Sequence, residues 1–238
     1  YRNSKEAGHI ITIEDPIEFL HSSKMSIISQ REIGTDVESF SDGLRDALRQ
    51  APDMILIGEM RDEDSAQQAI YFAETGHLVL STLHSVNAGQ TLERILQFFP
   101  ADRHSQILML LSLNLKAIIS QKLVPRKNGE GRIPVVEIMK DTPYIKDLIR
   151  EGNIPEIKNA IEEGVGMQTF EQHLAKLYED GEISRDDAIK SADKRYELEI
   201  KLKKIDGKEK EIDKAMLCPN CNANLLKQNI TWTVKYDN

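Results

Sequence analysis

The stretch that most constrains the fold is a short apolar run that ends abruptly in a glycine and an acid. Residues 54–57 are apolar, Pro52 lies just before them, and Gly58 and Glu59 follow. A short apolar run between turn residues is typical of a strand buried on both faces of a sheet. A carboxylate just beyond the carboxyl end of such a strand lies where α/β proteins bind their ligands. The pattern therefore predicts an α/β sheet with Glu59 at its functional edge; the alternative is that Glu59 only begins the next loop.

Two further predicted strands also end in polar side chains. Residues 9–13 form an apolar run followed by Glu14, Asp15 and a proline, and residues 77–84 begin with His77 and end with His84. Helices are predicted between the strands, and this alternation favours a mostly parallel sheet of buried strands. Glu14, Glu59 and His84 should then lie along one edge of the sheet. The alternatives are a solvated acidic turn and a structural histidine.

A predicted helix over residues 39–50, with Ser41 as its expected cap, carries two arginines four residues apart. Arg45 and Arg49 therefore share one helix face. The helix leads directly into the strand that begins after Asp53, so the pair is predicted near a phosphate. The alternative is that both arginines are solvated surface charges.

The rest of the chain is predicted to be mainly helical, with one hairpin and a β-rich tail. Residues 119–125 and 133–139 can pair as a hairpin across a glycine-containing turn. Two helices precede it and four short helices follow it, and these four predict a small bundle. The predicted helices cover residues 87–99, 101–120, 142–150, 154–163, 169–180 and 184–192.

The tail contains two alternating apolar segments that flank a pair of cysteines. Residues 196–202 and 230–236 alternate apolar and polar side chains, which predicts strands. Cys218 and Cys221 have the spacing of half a zinc site, but a structural site needs four ligands. Two free thiols, or a weak zinc site shared between subunits, remain the alternatives.

Composition limits the class of protein. The chain has 238 residues, a net charge of -8 and two cysteines. These values do not favour a nucleic-acid partner and exclude a disulfide-dense secreted scaffold, and they favour a reducing, cytoplasmic setting. No apolar run reaches the length that a membrane helix needs.

Four motifs resemble one known family, the type IV pilus retraction ATPases (PilT and PilU) of the secretion ATPase superfamily. ITIEDPIEF at 11–19 resembles its acidic box, ILIGEMRD at 55–62 its Walker B motif, and TGHLVLSTLH at 75–84 its histidine box. IKDLIREG at 145–152 resembles a helix typical of retraction motors. The resemblance extends from residue 8 to about residue 202, and residues 191–202 are closer to PilU.

The resemblance implies a RecA-like P-loop ATPase that uses ATP and Mg²⁺. It also implies a homo-hexameric ring, alone or with a paralogous retraction ATPase, at a pilus platform protein of the inner membrane. Glu14 would be the general base, Glu59 would hold the water shell of the magnesium ion, and His84 with His77 would sense the γ-phosphate. Asp15 and Arg31 would help to bind the nucleotide, and transition-state charge would be stabilised by Arg31, Arg45 or Arg49.

One departure from the family concerns its phosphate loop. The motif G-x-x-x-x-G-K-[ST], whose amides and lysine bind phosphates, does not occur in the chain. We therefore expect the carboxyl part of a longer enzyme, inactive by itself. Its predicted parts are an ATPase core (1–140), a helical bundle (141–195) and a tail with a hairpin and the cysteines (196–238).

Two other functions stay open. One is a non-catalytic accessory subunit of a pilus motor, and the other is a type II secretion or pilus-extension ATPase. The second is disfavoured because these enzymes usually carry a four-cysteine zinc module, whereas this chain has two cysteines.

Overall fold

A computed structural model describes the backbone of residues 1–215 and the side chains of residues 1–207. Contacts divide the chain into two compact units. The first comprises Tyr1–Gln121 and Val136–Thr169, and the second comprises Lys122–Val135 and the chain from Phe170 onwards.

The first unit is built on a four-stranded parallel sheet, as the sequence predicts. The strand order is β2-β1-β3-β4, and every neighbouring pair is parallel. Crossover connections through helices give such a sheet one edge at which all strands end. The strands are β1 (Gly8–Glu14), β2 (Ser26–Glu32), β3 (Met54–Ile57) and β4 (Leu78–Ser81).

The two central strands are buried, but β4 is not. Ile11 and Ile13 of β1 and Ile55 and Ile57 of β3 are fully buried and pack with the first helices of this unit. On β4, in contrast, the apolar side chains at positions 78 and 80 are 40% and 43% exposed. The prediction of a buried strand is therefore wrong for β4. The reason is that residues 78 and 80 alternate with residues 79 and 81 and so share one face of the sheet, and the described part of the chain covers this face of β4 only partly.

The first unit contains six helices, of which two contact the strands of the sheet and the others pack mainly against helices. Ser39, not Ser41, caps the first helix, because its side chain accepts a hydrogen bond from the backbone N–H of Asp42. The helix predicted to reach residue 120 ends at Asn114, since two β-branched isoleucines at 118 and 119 begin a strand instead. The helices are α1 (Phe40–Ala47), α2 (Glu63–Glu74), α3 (Ala88–Gln97), α4 (His104–Asn114), α5 (Pro143–Glu151) and α6 (Ile157–Glu163).

The predicted hairpin and the four short helices are present. Strands β5 (Ala117–Pro125) and β6 (Arg132–Lys140) form a two-stranded sheet. Contacts assign α5 and α6 to the first unit, and α7 (Phe170–Glu179) and α8 (Arg185–Ser191) to the second. The boundaries predicted after residues 140 and 195 stay a prediction for the whole protein.

The strand predicted over residues 196–202 is wrong, because this segment belongs to the long helix α9 (Arg195–Ala215). Leu198 and Leu202, four residues apart, are fully buried in the core of the second unit, and Ile205 continues the same stripe. Tyr196 and Ile200 are 77% and 40% exposed, which fits a helix and not a strand face. The cysteines and the strand predicted at 230–236 lie outside the described residues.

Candidate functional site

The carboxyl edge of the parallel sheet brings together the predicted site residues Glu14, Glu59 and His84. Ile13 of β1 is in register with Ile57 of β3, which is in register with Ser81 of β4. Glu14, the last residue of β1, therefore lies level with Gly58, and Glu59 is one residue further along the neighbouring strand direction. His84 follows β4 at this edge.

Gly58 allows the ends of β1 and β3 to approach closely. Its N–H donates to the carbonyl of Ile13 at 2.8 Å. A methyl group added at Gly58 would lie 3.2 Å from Cα of Glu14 and 3.3 Å from the carbonyl oxygen of Ile13. Because both neighbours are backbone atoms, the absence of a side chain at Gly58 fixes the spacing of the two acids.

Four charged or titratable side chains form a continuous chain of contacts, here called the edge cluster: Asp15, Arg61, Glu59 and His84. One oxygen of Glu59 pairs with the guanidinium of Arg61, and the other lies 3.2 Å from Nε2 of His84. Arg61 also donates to Oδ2 of Asp15 at 2.8 Å. Arg61 thus connects the acid that follows β3 to the acid that follows β1.

The charges of the edge cluster keep Glu59 ionised. The hydrogen bond from Arg61 lowers the pKa of Glu59 below its usual value; desolvation opposes this shift, and His84 acts in the same direction as Arg61. The hydrogen bond to Glu59 in turn raises the pKa of Arg61. At neutral pH the cluster therefore presents an anionic, oriented carboxylate.

Glu14 has partners of its own. Its Oε1 accepts from the hydroxyl of Thr12 at 2.7 Å and from Nε2 of Gln30 at 3.0 Å. These bonds come from β1 and β2, so the Glu14 carboxylate is held on the β2 side of the edge. Glu14 and Glu59 are therefore oriented separately although their backbones are adjacent.

Sequence comparison assigns the chain to a family. The family model described as "Type II/IV secretion system protein" matches residues 2–190. The chain belongs to this family.

Within the Type II/IV secretion family, the chain is similar to two proteins of Pseudomonas aeruginosa. It is 52% identical over 205 residues to "Type IV pilus ATPase PilU", covering 85% of this chain and 54% of that protein. It is 45% identical over 194 residues to "Type IV pilus retractation ATPase PilT", covering 81% and 56%. The predicted resemblance to this group, with PilU ahead of PilT, is confirmed. The chain spans about half the length of these relatives.

A solved structure of a related protein has the same fold. "Crystal Structure of the Pilus Retraction Motor PilT and Bound ADP" superposes with a TM-score of 0.78 at 43% identity. The match covers 84% of this chain and 57% of that one. The predicted α/β fold with a parallel sheet is thus the fold of a secretion ATPase of the Type II/IV secretion family.

His77 does not join the edge cluster. It lies just before β4, at the opposite end of the strand from His84. Its Nδ1 is 3.0 Å from the hydroxyl of Thr75, and its ring packs edge-on against Phe72. In the described part of this family member, His77 therefore contacts the end of α2.

The three arginines proposed for phosphate contact also lie apart from the edge cluster. Arg31 is near the carboxyl end of β2, but its guanidinium is 3.7 Å from Asp46 of α1. Arg45 pairs with Asp42 at 3.1 Å and is 65% exposed. Arg49 is exposed in the short 3₁₀ helix Leu48–Gln50 after α1, which leads to the amino end of β3 and so away from Glu59.

Arg61 is the member of the edge cluster that the sequence reasoning did not single out. It stands two residues after Glu59 in a segment without helix or strand, so the two side chains can reach each other. That spacing was visible in the motif. The second contact, to Asp15, joins positions that are 46 residues apart, and no local pattern predicts it.

The donor chemistry of the edge fits magnesium with a nucleotide phosphate. Mg²⁺ typically takes one or two carboxylates, keeps several waters and completes its shell with phosphate oxygens. Glu59, Glu14 and Asp15 supply carboxylates of this kind at one edge. Among the side chains of residues 1–207, no three His, Cys, Asp or Glu groups converge as direct ligands of an ion.

Within the described residues, no helix is both long and apolar enough to span a bilayer.

Proposed function

We propose that this chain is part of an ATP-hydrolysing motor that drives the retraction of type IV pili. The observation that carries the proposal is the edge cluster, in which Arg61 and His84 hold an ionised Glu59 at the carboxyl edge of a parallel sheet. Similarity to proteins named as pilus ATPases supports the choice of ATP and of the pilus. The motor would be a homo-hexamer, alone or with a paralogous ATPase. It would act in the cytoplasm on a platform protein of the inner membrane.

The proposed roles follow from the chemistry of each side chain. Glu59 would bind the water shell of Mg²⁺, which neutralises phosphate charge when bound. Glu14 would accept a proton from the attacking water, because its carboxylate is held separately from the metal-binding one. His84 would contact the γ-phosphate side of the site while it orients Glu59, and Arg61 would keep Glu59 ionised.

A ring would also give the distant arginines a role. Arg45 and Arg49 are exposed and lie away from the edge cluster of their own chain. In a hexamer, one of them would act on the nucleotide of a neighbouring subunit. Arg31, near the carboxyl end of β2, would then support the binding site from within the chain, whereas His77, at the amino end of β4, would not.

The test is Glu59→Gln in the whole protein, with ATP hydrolysis and twitching motility as readouts. Because Gln has the same size but no charge, we expect hydrolysis to fall by a factor of about 10² or more. Glu63→Gln is the matched control, since Glu63 lies four residues away and, among the described side chains, pairs with Arg103 outside the edge cluster. We expect that control to hydrolyse ATP normally.

The two outcomes separate the proposal from its alternatives. Normal hydrolysis by the Glu59→Gln protein would refute the assigned role of Glu59. A wild-type protein that hydrolyses no ATP, but whose deletion still weakens retraction, would favour the accessory-subunit alternative. Loss of protein secretion instead of motility would favour the secretion-ATPase alternative.

A further inference from the structure

Strand β6 contains a buried acid in an inward-facing row of apolar side chains. Val135, Glu137 and Met139 alternate along β6 and are 1%, 3% and 1% exposed. Burial of a carboxylate is costly unless the group is hydrogen-bonded. Oε1 of Glu137 accepts from the backbone N–H of Ala88, the first residue of α3, at 2.8 Å. The buried acid therefore holds the beginning of a helix.

The start of α3 requires such a partner. Ala88 is 1% exposed, and the first amides of a helix have no acceptor within the helix. The positive end of the helix dipole also favours a carboxylate at this place. The side chain of Asn87 accepts from the N–H of Gln90 at 2.9 Å, so Asn87 and Glu137 together satisfy two amides of the first turn.

The segment that enters α3 carries His84. Before the histidine, the hydroxyl of Thr82 donates to the carbonyl of Gly58 at 2.5 Å, which anchors the segment beside Glu59. After it, the hydroxyl of Ser85 lies 2.7 Å from that of Thr91, which is a buried residue of α3. His84 thus lies between an anchor on the β3 side and an anchor on α3.

Burial does not hold the imidazole of His84 in place. Its side chain is 92% exposed, and its contact with Glu59 is at 3.2 Å. The position of the ring therefore depends on where the backbone at residues 82–88 is held. A shift of the α3 start would move Ser85, and the adjacent histidine with it.

We propose that Glu137 is a positioning residue for this site: by holding the N–H of Ala88, it fixes the start of α3 and so keeps the His84 imidazole against Glu59. This inference rests on the proposed function for its kinetic consequence. Its structural consequence, the position of the His84 ring, does not depend on ATP hydrolysis.

The structural test uses the whole protein with histidine rings labelled with ¹³C at Cε1. The His84 resonance is assigned by its loss in His84→Ala, and Glu59→Gln gives its position without the carboxylate. We expect Glu137→Ala to move the His84 resonance towards the Glu59→Gln position. An unmoved resonance in a folded Glu137→Ala protein would overturn the proposal.

The controls separate positioning from general loss of stability. Glu171→Ala removes another buried acid that accepts a backbone N–H, that of Lys194, but far from α3 in sequence. It should leave the His84 resonance in place. If Glu137→Ala fails to fold, Ser85→Ala provides the second variant, because it deletes only a hydroxyl contact to α3. Ser85→Ala should move the same resonance in the same direction, and no movement would again overturn the proposal.

The kinetic test is a double-mutant cycle on ATP hydrolysis. We expect Glu137→Ala to lower kcat by about 10- to 100-fold with little change in KM for ATP, as expected when a catalytic group is misplaced. Glu137→Gln keeps an acceptor oxygen and should recover most of the rate. In the His84→Ala background, Glu137→Ala should lower kcat no further, whereas an independent loss of equal size would refute the coupling. A wild-type protein without hydrolysis would refute the proposed function, while a moved His84 resonance would still support the positioning role.

Discussion

A methyl group at Gly58 would test whether the ends of β1 and β3 are as close as the structure describes. In Gly58→Ala the new carbon would lie 3.2 Å from Cα of Glu14 and 3.3 Å from the carbonyl oxygen of Ile13. Both distances are shorter than ordinary van der Waals contact. Ile13 is fully buried and its strand is paired on both sides, so the neighbours cannot simply turn away.

The expected cost follows from that geometry. Relief requires the two strand ends to separate by about a few tenths of an ångström, which stretches the 2.8 Å bond from the N–H of Gly58 to Ile13. Overpacking of this kind costs about 1–2 kcal/mol of the free energy of unfolding. The same displacement moves Glu59 relative to Glu14, and we expect about a tenfold loss of kcat for ATP hydrolysis.

The assay is urea unfolding of the whole protein followed by circular dichroism, together with steady-state ATP hydrolysis. Gly207→Ala is the matched control, because within the described residues nothing lies within 4 Å of its added carbon on α9. That substitution should raise stability by about 0.5–1 kcal/mol, since alanine is the better helix former. If Gly58→Ala matched the wild type in stability and rate, the close approach of the two strand ends would be disproved.

Two further predictions concern the edge cluster and α9. Arg61→Ala should raise the pKa of Glu59, because the largest cause of its lowered pKa is the hydrogen bond from Arg61. Ionised Glu59 stabilises the fold above its usual pKa, and this contribution is lost as pH falls through the lowered value; without Arg61, the loss should occur at higher pH. A carboxyl ¹³C titration of the wild type and of Arg61→Ala measures the pKa of Glu59 in each protein. An unchanged pKa in Arg61→Ala would contradict the assignment. Leu202→Ala, at a fully buried position, should cost about 2–5 kcal/mol. Ile200→Ala, at a position 40% exposed, should cost under about 1 kcal/mol, and equal losses in urea unfolding would support a strand instead of a helix.

The central sheet could be predicted because its signal is local. Each central strand is mainly apolar, and burial on both faces is what a parallel sheet covered by helices requires. The position of Glu14 and Glu59 after such runs then follows from strand polarity alone. The edge that joins Glu14, Glu59 and His84 was accordingly predictable without coordinates.

Local patterns failed where two structures share the same spacing. Leu198 and Leu202 are four residues apart, which satisfies both strand alternation and one turn of helix. The decision came from burial: these two side chains enter a core with helices α7 and α8, while the intervening Ile200 stays partly exposed. The exposure of β4 likewise depends on what packs against each face of the sheet, and that packing is not a local property.

The sequence by itself determined that acids follow buried parallel strands, since hydrophobic runs and turn residues act over a few positions. Only the tertiary structure decided how those acids are held. The contact of Arg61 with Asp15 spans 46 residues, and that of Glu137 with Ala88 spans 49. The Glu137 contact forms because folding removes water from a buried carboxylate that must then find a partner. The Arg61 contact is exposed and forms because the fold brings two opposite charges to the same end of the sheet.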